Sequence, residues 1–239
     1  MKRVVFALVA AFSVACLMSC ASLKKSSEEE VVEGDNVIDE SKFWALKEID
    51  TARNIAGLSD LEKDVVFEIN KARTNPEQYA NLFIVPRLEK FEGNVYNGEL
   101  ETEEGASAVS NCISAMTSMA PLGKLSVRDA LQQAAVSHAR SQGEAGTTGH
   151  TGTDGSTLLS RINSFGGSAY RNIGENISYG EDNAREIVIS LLIDDGVYSR
   201  GHRKNILNSS LEAIGCGVAP HAEYGTECVI TFAGGYSEN

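Results

Sequence analysis

The sequence predicts a folded domain of the α+β class, in which several helices precede a terminal pair of strands. Hydrophobic residues make up 42% of the 239 residues, which is too many for a wholly disordered chain. Apolar residues recur at helical spacing in several segments and alternate at strand spacing near the C-terminus. The length fits one domain of ordinary size with appendages.

The chain is acidic, and its charge excludes one class of partner. It has 21 Lys and Arg against 33 Asp and Glu, a formal charge of −12. A nucleic-acid partner is not expected, because binding phosphates requires a basic face. We expect a monomer that recognises a small molecule, a lipid or a peptide.

The N-terminus has the form of a secretory signal. Lys2 and Arg3 precede an unbroken run of apolar and small residues over 4–18. This run is shorter than the about 20 residues that a membrane span requires. We therefore predict that residues 1–19 form a signal peptide and that the protein is exported.

The signal ends in Leu17-Met18-Ser19-Cys20, which resembles a bacterial lipobox, although Met18 is larger than the residue usual there. We predict that Cys20 is acylated and anchors a bacterial membrane lipoprotein, facing the periplasm or the cell surface. The alternative is a simple signal peptide that leaves a soluble secreted protein. Residues 20–57 are rich in Ser, Glu, Asp and Lys and are predicted to be a disordered acidic tether.

The folded domain is predicted to occupy residues 58–239. Its first helix begins at Ser59, since Ser59 and Glu62 form a capping-box pattern, and it ends before Pro76. A second short helix follows over 77–83. Residues near 84–122 are predicted to contain a loop or an insertion.

The next helix is predicted to be capped by Ser126, with Asp129 near its N-terminus. His138 lies on its apolar stripe and is interpreted as a packed core histidine. Further helical stretches are predicted through Leu158 and Ile162, and over about 184–194.

Three polar side chains lie in glycine-rich segments, where the backbone lets a side chain reach a cleft. His150 follows Gly149, Glu175 follows Gly174, and His202 follows Gly201. These are the candidate functional residues.

The order of these segments resembles the CAP superfamily of cysteine-rich secretory proteins, antigen five and pathogenesis-related proteins. A histidine-bearing loop is followed by Gly-Glu-Asn-Ile at 174–177, Gly-His-Arg-Lys-Asn-Ile-Leu at 201–207 and Ile-Gly-Cys-Gly-Val at 214–218. The resemblance covers about 58–236, essentially the whole folded part. It implies a three-layer α-β-α sandwich with a central, mostly antiparallel sheet and an open cleft.

The resemblance implies a set of cleft residues. His150 matches the family's first histidine, Glu175 its first carboxylate and His202 its second histidine. Two neutral imidazoles can hold Zn²⁺ or another divalent ion, while carboxylates accept the other imidazole protons. The alternative is a polar cluster that braces the loops through hydrogen bonds without a metal.

The family's second carboxylate has two candidates in this chain. It usually lies one turn after a tryptophan, which this helix lacks. Asp194 fits if Leu191 takes the tryptophan's place, and Asp195 fits if Leu192 does. Trp44 lies in the predicted tether and cannot take that role.

The sequence favours a binding or interaction module over an enzyme. A metal-dependent hydrolase acting on a peptide, cell-wall or lipid substrate is the alternative, with Glu175 as its general base and Asp194 or Asp195 beside it. The chain has no zinc-protease helix, nucleophile elbow or phosphate-binding glycine loop. A structural adhesin with a vestigial cleft is the third interpretation.

The C-terminal region is predicted to be a β-hairpin with its turn at 221–225. With arms of equal length Cys216 and Cys228 could face each other, and an oxidising compartment would permit a disulfide. The alternative is two buried thiols on the apolar face of the sheet. Cys112 has no evident partner, and His221 is expected to be exposed at the turn.

Overall fold

The computed structural model of the protein describes residues 38–168, 171–235 and 237–238. The predicted signal peptide, lipobox and acylated Cys20 lie outside the described residues. The α-helices of the described part are α1 (Leu46–Ile49), α2 (Asp60–Thr74), α3 (Pro76–Tyr79), α4 (Ala106–Thr117), α5 (Asp129–Ala145), α6 (Leu158–Ser164), α7 (Ala184–Ile193) and α8 (Gly201–Ile206).

Short helical turns of other types cover Glu40–Lys42, Ala80–Ile84 and Val85–Lys90. The strands are β1 (Phe91–Glu92), β2 (Val95–Tyr96), β3 (Leu100–Glu101), β4 (Ser126–Val127), β5 (Gly167–Ser168), β6 (Asn172–Tyr179), β7 (Ala213–His221), β8 (Gly225–Gly234) and β9 (Ser237–Glu238).

The central sheet has the strand order β4-β7-β8-β6. The β4 strand runs parallel to β7, while β7 with β8 and β8 with β6 are antiparallel. Two smaller antiparallel sheets join β1, β2 and β3, and β5 with β9. The predicted α+β class with a mostly antiparallel central sheet is confirmed.

Helix α5 packs on one face of the central sheet, and α2 and α7 lie on the other. The contact of α5 with β7 depends on glycine, because a Cβ atom on Gly215 would come within 2.2 Å of the Leu131 backbone and one on Gly217 within 2.4 Å of the Val136 nitrogen. Alternate residues of the strands therefore meet different helical layers. This is the predicted three-layer sandwich.

The opposite face of the sheet carries the main apolar core. It contains inward-facing residues of β7 and β8 packed with residues of α2, α4 and α7, among them Ile214, Ile230, Phe232, Val65 and Val109. Burial of these side chains supplies most of the favourable free energy of folding.

The compact unit begins at Asp39, well before the predicted end of the tether at residue 57. Trp44 is 5% exposed, its Nε1 donates to the Lys71 carbonyl oxygen over 3.0 Å, and its ring stacks on Phe83. Residues 39–57 therefore pack on the domain, because the buried Trp44, Ile49 and Ala52 offset their otherwise polar composition.

The predicted helix start at Ser59 is correct, and the predicted helix start at Ser126 is wrong. Ser59 and Glu62 form the capping box of α2. Ser126 instead lies in β4, where its nitrogen donates to the Glu212 carbonyl oxygen, and α5 begins at Asp129 without a side-chain cap. The backbone of Ser126 and Val127 is extended and paired with β7, so it cannot also form the start of a helix.

The predicted insertion has secondary structure of its own. Residues 84–122 contain the three short strands β1, β2 and β3 followed by α4. The helix packs its apolar side into the core through Val109, Cys112 and Met116. Only the strands form an excursion from the sandwich.

The terminal hairpin pairs His221 with Gly225, as predicted. Cys216 lies opposite Ile230 and Cys228 opposite Val218, so the two cysteines are diagonal neighbours rather than directly opposed. Both are free buried thiols with their sulfur atoms 3.7 Å apart.

The prediction that His221 is exposed is wrong. Its side chain is buried, its Nε2 lies 3.0 Å from the Thr147 carbonyl oxygen, and its Nδ1 accepts from the nitrogens of Glu223 and Tyr224. The imidazole replaces missing backbone partners at the turn, which requires it to point inward.

In the described part of the chain, no helix is long and apolar enough to cross a membrane.

Candidate functional site

His150 is placed beside Glu175 by the loop that follows α5. Its Nδ1 lies 2.9 Å from Oε1 of Glu175 on the edge strand β6. The His150 side chain is 60% exposed and the Glu175 side chain only 3%. The carboxylate therefore lies in the wall of the fold, and the imidazole projects from it towards solvent.

Arg161 holds the other oxygen of Glu175. Its Nη2 donates to Oε2 over 2.6 Å, and its Nη1 donates to the carbonyl oxygens of His150 and Ser156. Arg161 is buried on α6, beside the apolar Ile162. Arg161 is not among the residues predicted from the sequence, although an arginine on the apolar side of a short helix was the available signal.

Charge couples the members of this group. Burial alone would raise the pKa of Glu175, but the hydrogen bond from His150 and the charge of Arg161 outweigh it, and the pKa is lowered. The same hydrogen bond raises the pKa of His150 above its usual value. Glu175 is thus a carboxylate near neutral pH, and its charge fixes the orientation of the imidazole.

His202 forms the second pair, with Asp194. Its Nδ1 lies 2.7 Å from Asp194 Oδ1, and its backbone nitrogen donates to Oδ2 over 2.9 Å. Asp194 ends α7 in the left-handed conformation, with φ of 59°, and is 3% exposed. This backbone reversal turns the carboxylate towards the first turn of α8.

The two candidates for the second cleft carboxylate have different roles. Asp194 is the partner of His202, whereas Asp195 accepts hydrogen bonds from the nitrogens of Glu103 and Glu104, 2.7 and 2.9 Å away. Asp195 therefore fastens the insertion to the end of α7. Leu191, which is 4% exposed, lies one turn before Asp194.

The asparagines of the two motifs, Asn176 and Asn205, join the pairs to β6. Asn176 donates to the carbonyl oxygen of His202 over 3.0 Å and accepts from Asn205 over 2.8 Å. Gly174 leaves the space for Asn205, since a Cβ atom there would lie 2.9 Å from its Oδ1. The strand thus connects to His150 through Glu175 and to His202 through its neighbour Asn176.

Arg203 fixes the end of α7 from within α8. Its guanidinium is buried and donates to the carbonyl oxygens of Leu192 and Ile193, 2.5 and 2.9 Å away, and to Asn111 Oδ1. These carbonyls have no partner inside the helix, so the arginine replaces the missing donors. The Gly-His-Arg sequence therefore supplies one partly buried imidazole and the side chain that positions its surroundings.

The four histidines differ in the partners of their Nε2 atoms. His138 Nε2 lies 3.1 Å from the Gly149 carbonyl oxygen and His221 Nε2 lies 3.0 Å from that of Thr147. Among the residues that the structure describes, the Nε2 atoms of His150 and His202 have no hydrogen-bond partner. His138 is fully buried, as predicted, and burial lowers its pKa.

The residues offer the correct donors for a divalent metal ion, but as separate pairs. A carboxylate on Nδ1 leaves Nε2 with a free lone pair, which is the arrangement usual for metal-binding histidines. Within the described ranges, no three His, Cys, Asp or Glu side chains are grouped to hold an ion. The protein ligands would therefore be the two imidazoles, His150 and His202, with water completing the coordination.

A cavity of about 380 Å³ lies beside His202, beneath the strands of the insertion. Its apolar walls come from Phe91, Tyr96 and Leu100 of the insertion and from Leu191 and Ile193 of α7. Its volume is within the range of small-molecule sites. The insertion was predicted from its sequence, but its residues gave no indication of chemistry.

Comparison with family models places the chain. The model of the cysteine-rich secretory protein family, CAP, matches residues 66–233, which include both histidine–carboxylate pairs and all but the last residue of the central sheet. The chain belongs to this family, as its motif order predicted. A comparison with curated proteins finds no match.

Three solved structures are similar to this chain. An outer surface protein from Borrelia burgdorferi has 23% identity and a TM-score of 0.40, over 47% of this chain and 79% of that one. An extracellular SCP-domain protein from Bacillus anthracis has 19% identity and a TM-score of 0.38, over 54% of this chain and 38% of that one. The CAP domain of enterococcal PrgA has 14% identity and a TM-score of 0.34, over 75% of this chain and 80% of that one.

Proposed function

We propose that this CAP-domain protein is a binding module whose cleft captures a divalent metal ion, or a small or peptide ligand, through His150 and His202. The observation that carries the proposal is the state of their Nε2 atoms. Each imidazole is oriented by a buried carboxylate at Nδ1 and keeps Nε2 available in the described structure. When bound, a divalent ion would act as a Lewis acid that accepts ligand oxygen or nitrogen atoms.

Binding is a better proposal than hydrolysis because of the state of Glu175. A general base works best when its pKa lies near the working pH. Hydrogen bonds from His150 and Arg161 oppose the effect of burial and lower the pKa of Glu175, which makes it a weaker base. Both of its oxygens are occupied by these two partners.

The proposal includes export and anchoring through an acylated Cys20, in a bacterial membrane lipoprotein that faces the periplasm or the surface. The support is the charged and then apolar N-terminal sequence that ends at a lipobox-like cysteine. Mass spectrometry of the mature N-terminus tests this: we expect a diacylated residue 20, and Cys20→Ser should release the protein from membranes. An unmodified cysteine in the membrane-free fraction would contradict the anchor.

Zinc titration of the purified chain tests the cleft. We expect micromolar or tighter binding by calorimetry, and loss of at least tenfold in affinity in both His150→Ala and His202→Ala. His221→Gln is the matched control, because this histidine already uses both ring nitrogens. Binding of neither zinc nor any member of a small-molecule and peptide panel would overturn the proposal.

A panel of peptide and cell-wall substrates distinguishes the remaining interpretations. Turnover that is lost in Glu175→Gln at unchanged folding would replace our proposal with a metal-dependent hydrolase. Binding to a partner that survives all the cleft substitutions would favour a structural adhesin.

A further inference from the structure

The cavity beneath the insertion is built from two parts of the chain that lie far apart in sequence. Its outer wall is formed by residues of β1, β2 and β3, and its inner wall by α7 and Ile177 of β6. Leu100 is 53% exposed although it is apolar, and the rings of Phe91 and Tyr96 lie 5.1 Å apart beside it. Together with the cavity behind them, these side chains offer an apolar surface to a ligand.

The two walls are fastened to each other, so the cavity is formed in advance of binding. Asp195 accepts hydrogen bonds from two backbone nitrogens of the insertion, at Glu103 and Glu104. Arg200 donates to both oxygens of Glu104, 2.7 and 2.6 Å away. A preformed cavity lowers the entropy cost of binding.

The rim of the cavity is negative. Arg87 and His202 both line this cavity, and each is already paired with a carboxylate, Arg87 with Glu186 over 2.6 Å and His202 with Asp194. Glu181 also lines the cavity and has no hydrogen-bond or ion-pair partner among the described residues. Partial desolvation and the nearby charges of Glu186 and Asp182 raise the pKa of Glu181, while the charge of Arg87 opposes them.

We infer that this cavity binds an amphiphile that carries one positive charge, with its apolar body between Phe91, Tyr96 and Leu100 and its charged group beside Glu181. The apolar walls supply the favourable free energy and the acidic rim selects the sign of the charge. An anionic amphiphile of the same length would place its charge against Glu181 and Glu186. The inference rests on the proposed binding function of the cleft and does not depend on the metal.

Calorimetry of the full chain with octyltrimethylammonium, octanoate and tetramethylammonium, below their micellar concentrations, tests the inference. We expect the cationic amphiphile to bind about tenfold more tightly than octanoate, since attraction is exchanged for repulsion at one carboxylate. Tetramethylammonium, which lacks the apolar body, should not bind measurably. Equal or tighter binding of octanoate would overturn the inference.

Two variants locate the binding. Glu181→Gln should weaken binding of the cation about threefold and leave the affinity for octanoate unchanged or higher. Glu99→Gln, at an exposed position of the insertion, is its control. Ser190→Trp should abolish binding of the cation, because Ser190 is exposed and lines the cavity. Ser114→Trp, exposed on α4, is the control for bulk alone. Unchanged binding in both Glu181→Gln and Ser190→Trp would also overturn the inference.

The zinc titration separates this inference from the proposed function. Zinc binding that depends on His150 and His202, without binding of octyltrimethylammonium, would overturn the inference and leave the proposed function standing. Amphiphile binding without zinc binding would support the inference and limit the proposed function to a metal-free ligand. Failure of every probe would overturn both.

Discussion

The charge of Glu227 should make the stability of this protein fall as the pH rises. Glu227 lies on β8, opposite Tyr179 of β6 and Ala219 of β7, with none of its surface exposed. Neither of its carboxylate oxygens has a hydrogen-bond partner among the described residues. A charge buried in this way is expensive, so the carboxyl group holds its proton.

The size of the effect follows from the pKa of Glu227. Burial, with a smaller contribution from the charge of Glu175, raises this pKa from 4.5 to about 7. The folded chain therefore binds more protons than the unfolded chain between these values, and the free energy of unfolding decreases with increasing pH. Each unit of difference between the folded and unfolded pKa values corresponds to about 1.4 kcal/mol. The free energy of unfolding is therefore lower by about 3 kcal/mol at pH 8 than at pH 4.5.

Urea unfolding of the wild type and Glu227→Gln, at several values between pH 4.5 and 8, measures this loss. The amide has the shape of the protonated carboxyl group and does not titrate. Trp44, the single tryptophan, is buried and reports unfolding by fluorescence. We expect the variant to gain about 3 kcal/mol relative to the wild type across this range.

The other titrating groups are the same in the wild type and in Glu227→Gln. Their effects therefore cancel when the free energies of unfolding of the two proteins are subtracted at each pH. Glu223→Gln, at an exposed position of the same hairpin, is the control and should follow the wild type. Parallel curves for the wild type and Glu227→Gln would refute the reasoning. They would show that Glu227 is charged and has a partner in the folded protein.

Three further predictions concern the site and the core. Arg161→Met should raise the pKa of His150 further in an NMR titration, because the guanidinium opposes the imidazolium charge. The same change should lower the free energy of unfolding in urea by about 3 kcal/mol. An unchanged pKa of His150 would contradict the coupling. Gly215→Ala should cost at least about 2 kcal/mol by thermal unfolding, since its Cβ would meet the α5 backbone, whereas Gly123→Ala, which meets nothing within 4 Å, should be nearly neutral. Trp44→Ala should cost about 3–5 kcal/mol, measured by circular dichroism, if residues before 57 belong to the folded domain; a change below about 1 kcal/mol would refute their packing.

Local signals in the sequence predicted the elements whose stability is local. The capping box of Ser59 and Glu62 identified the start of α2, and the alternation of apolar residues identified the terminal hairpin. The same local reasoning failed at Ser126, because a pattern that fits a helix cap also fits a strand end. The pairing of β4 with β7 decided between them.

The sequence singled out His150, Glu175 and His202 as candidates because glycine-rich motifs mark positions where side chains can leave the backbone. The sequence could not choose between Asp194 and Asp195, which adjoin each other at the end of α7. The left-handed turn at Asp194 directs one carboxylate to His202 and the next to the insertion. Arg161 was missed because its role depends on a strand fourteen residues further along the chain.

The sequence by itself determined the class of fold and the family, and it singled out His150 and His202 as candidates, because these depend on short-range patterns and on motif order. The tertiary structure decided which carboxylate orients each imidazole, where the insertion closes a cavity, and that Trp44 and His221 are buried. These features depend on contacts between residues far apart in the chain. The free energy of such contacts arises only when the sheet and its helices have assembled.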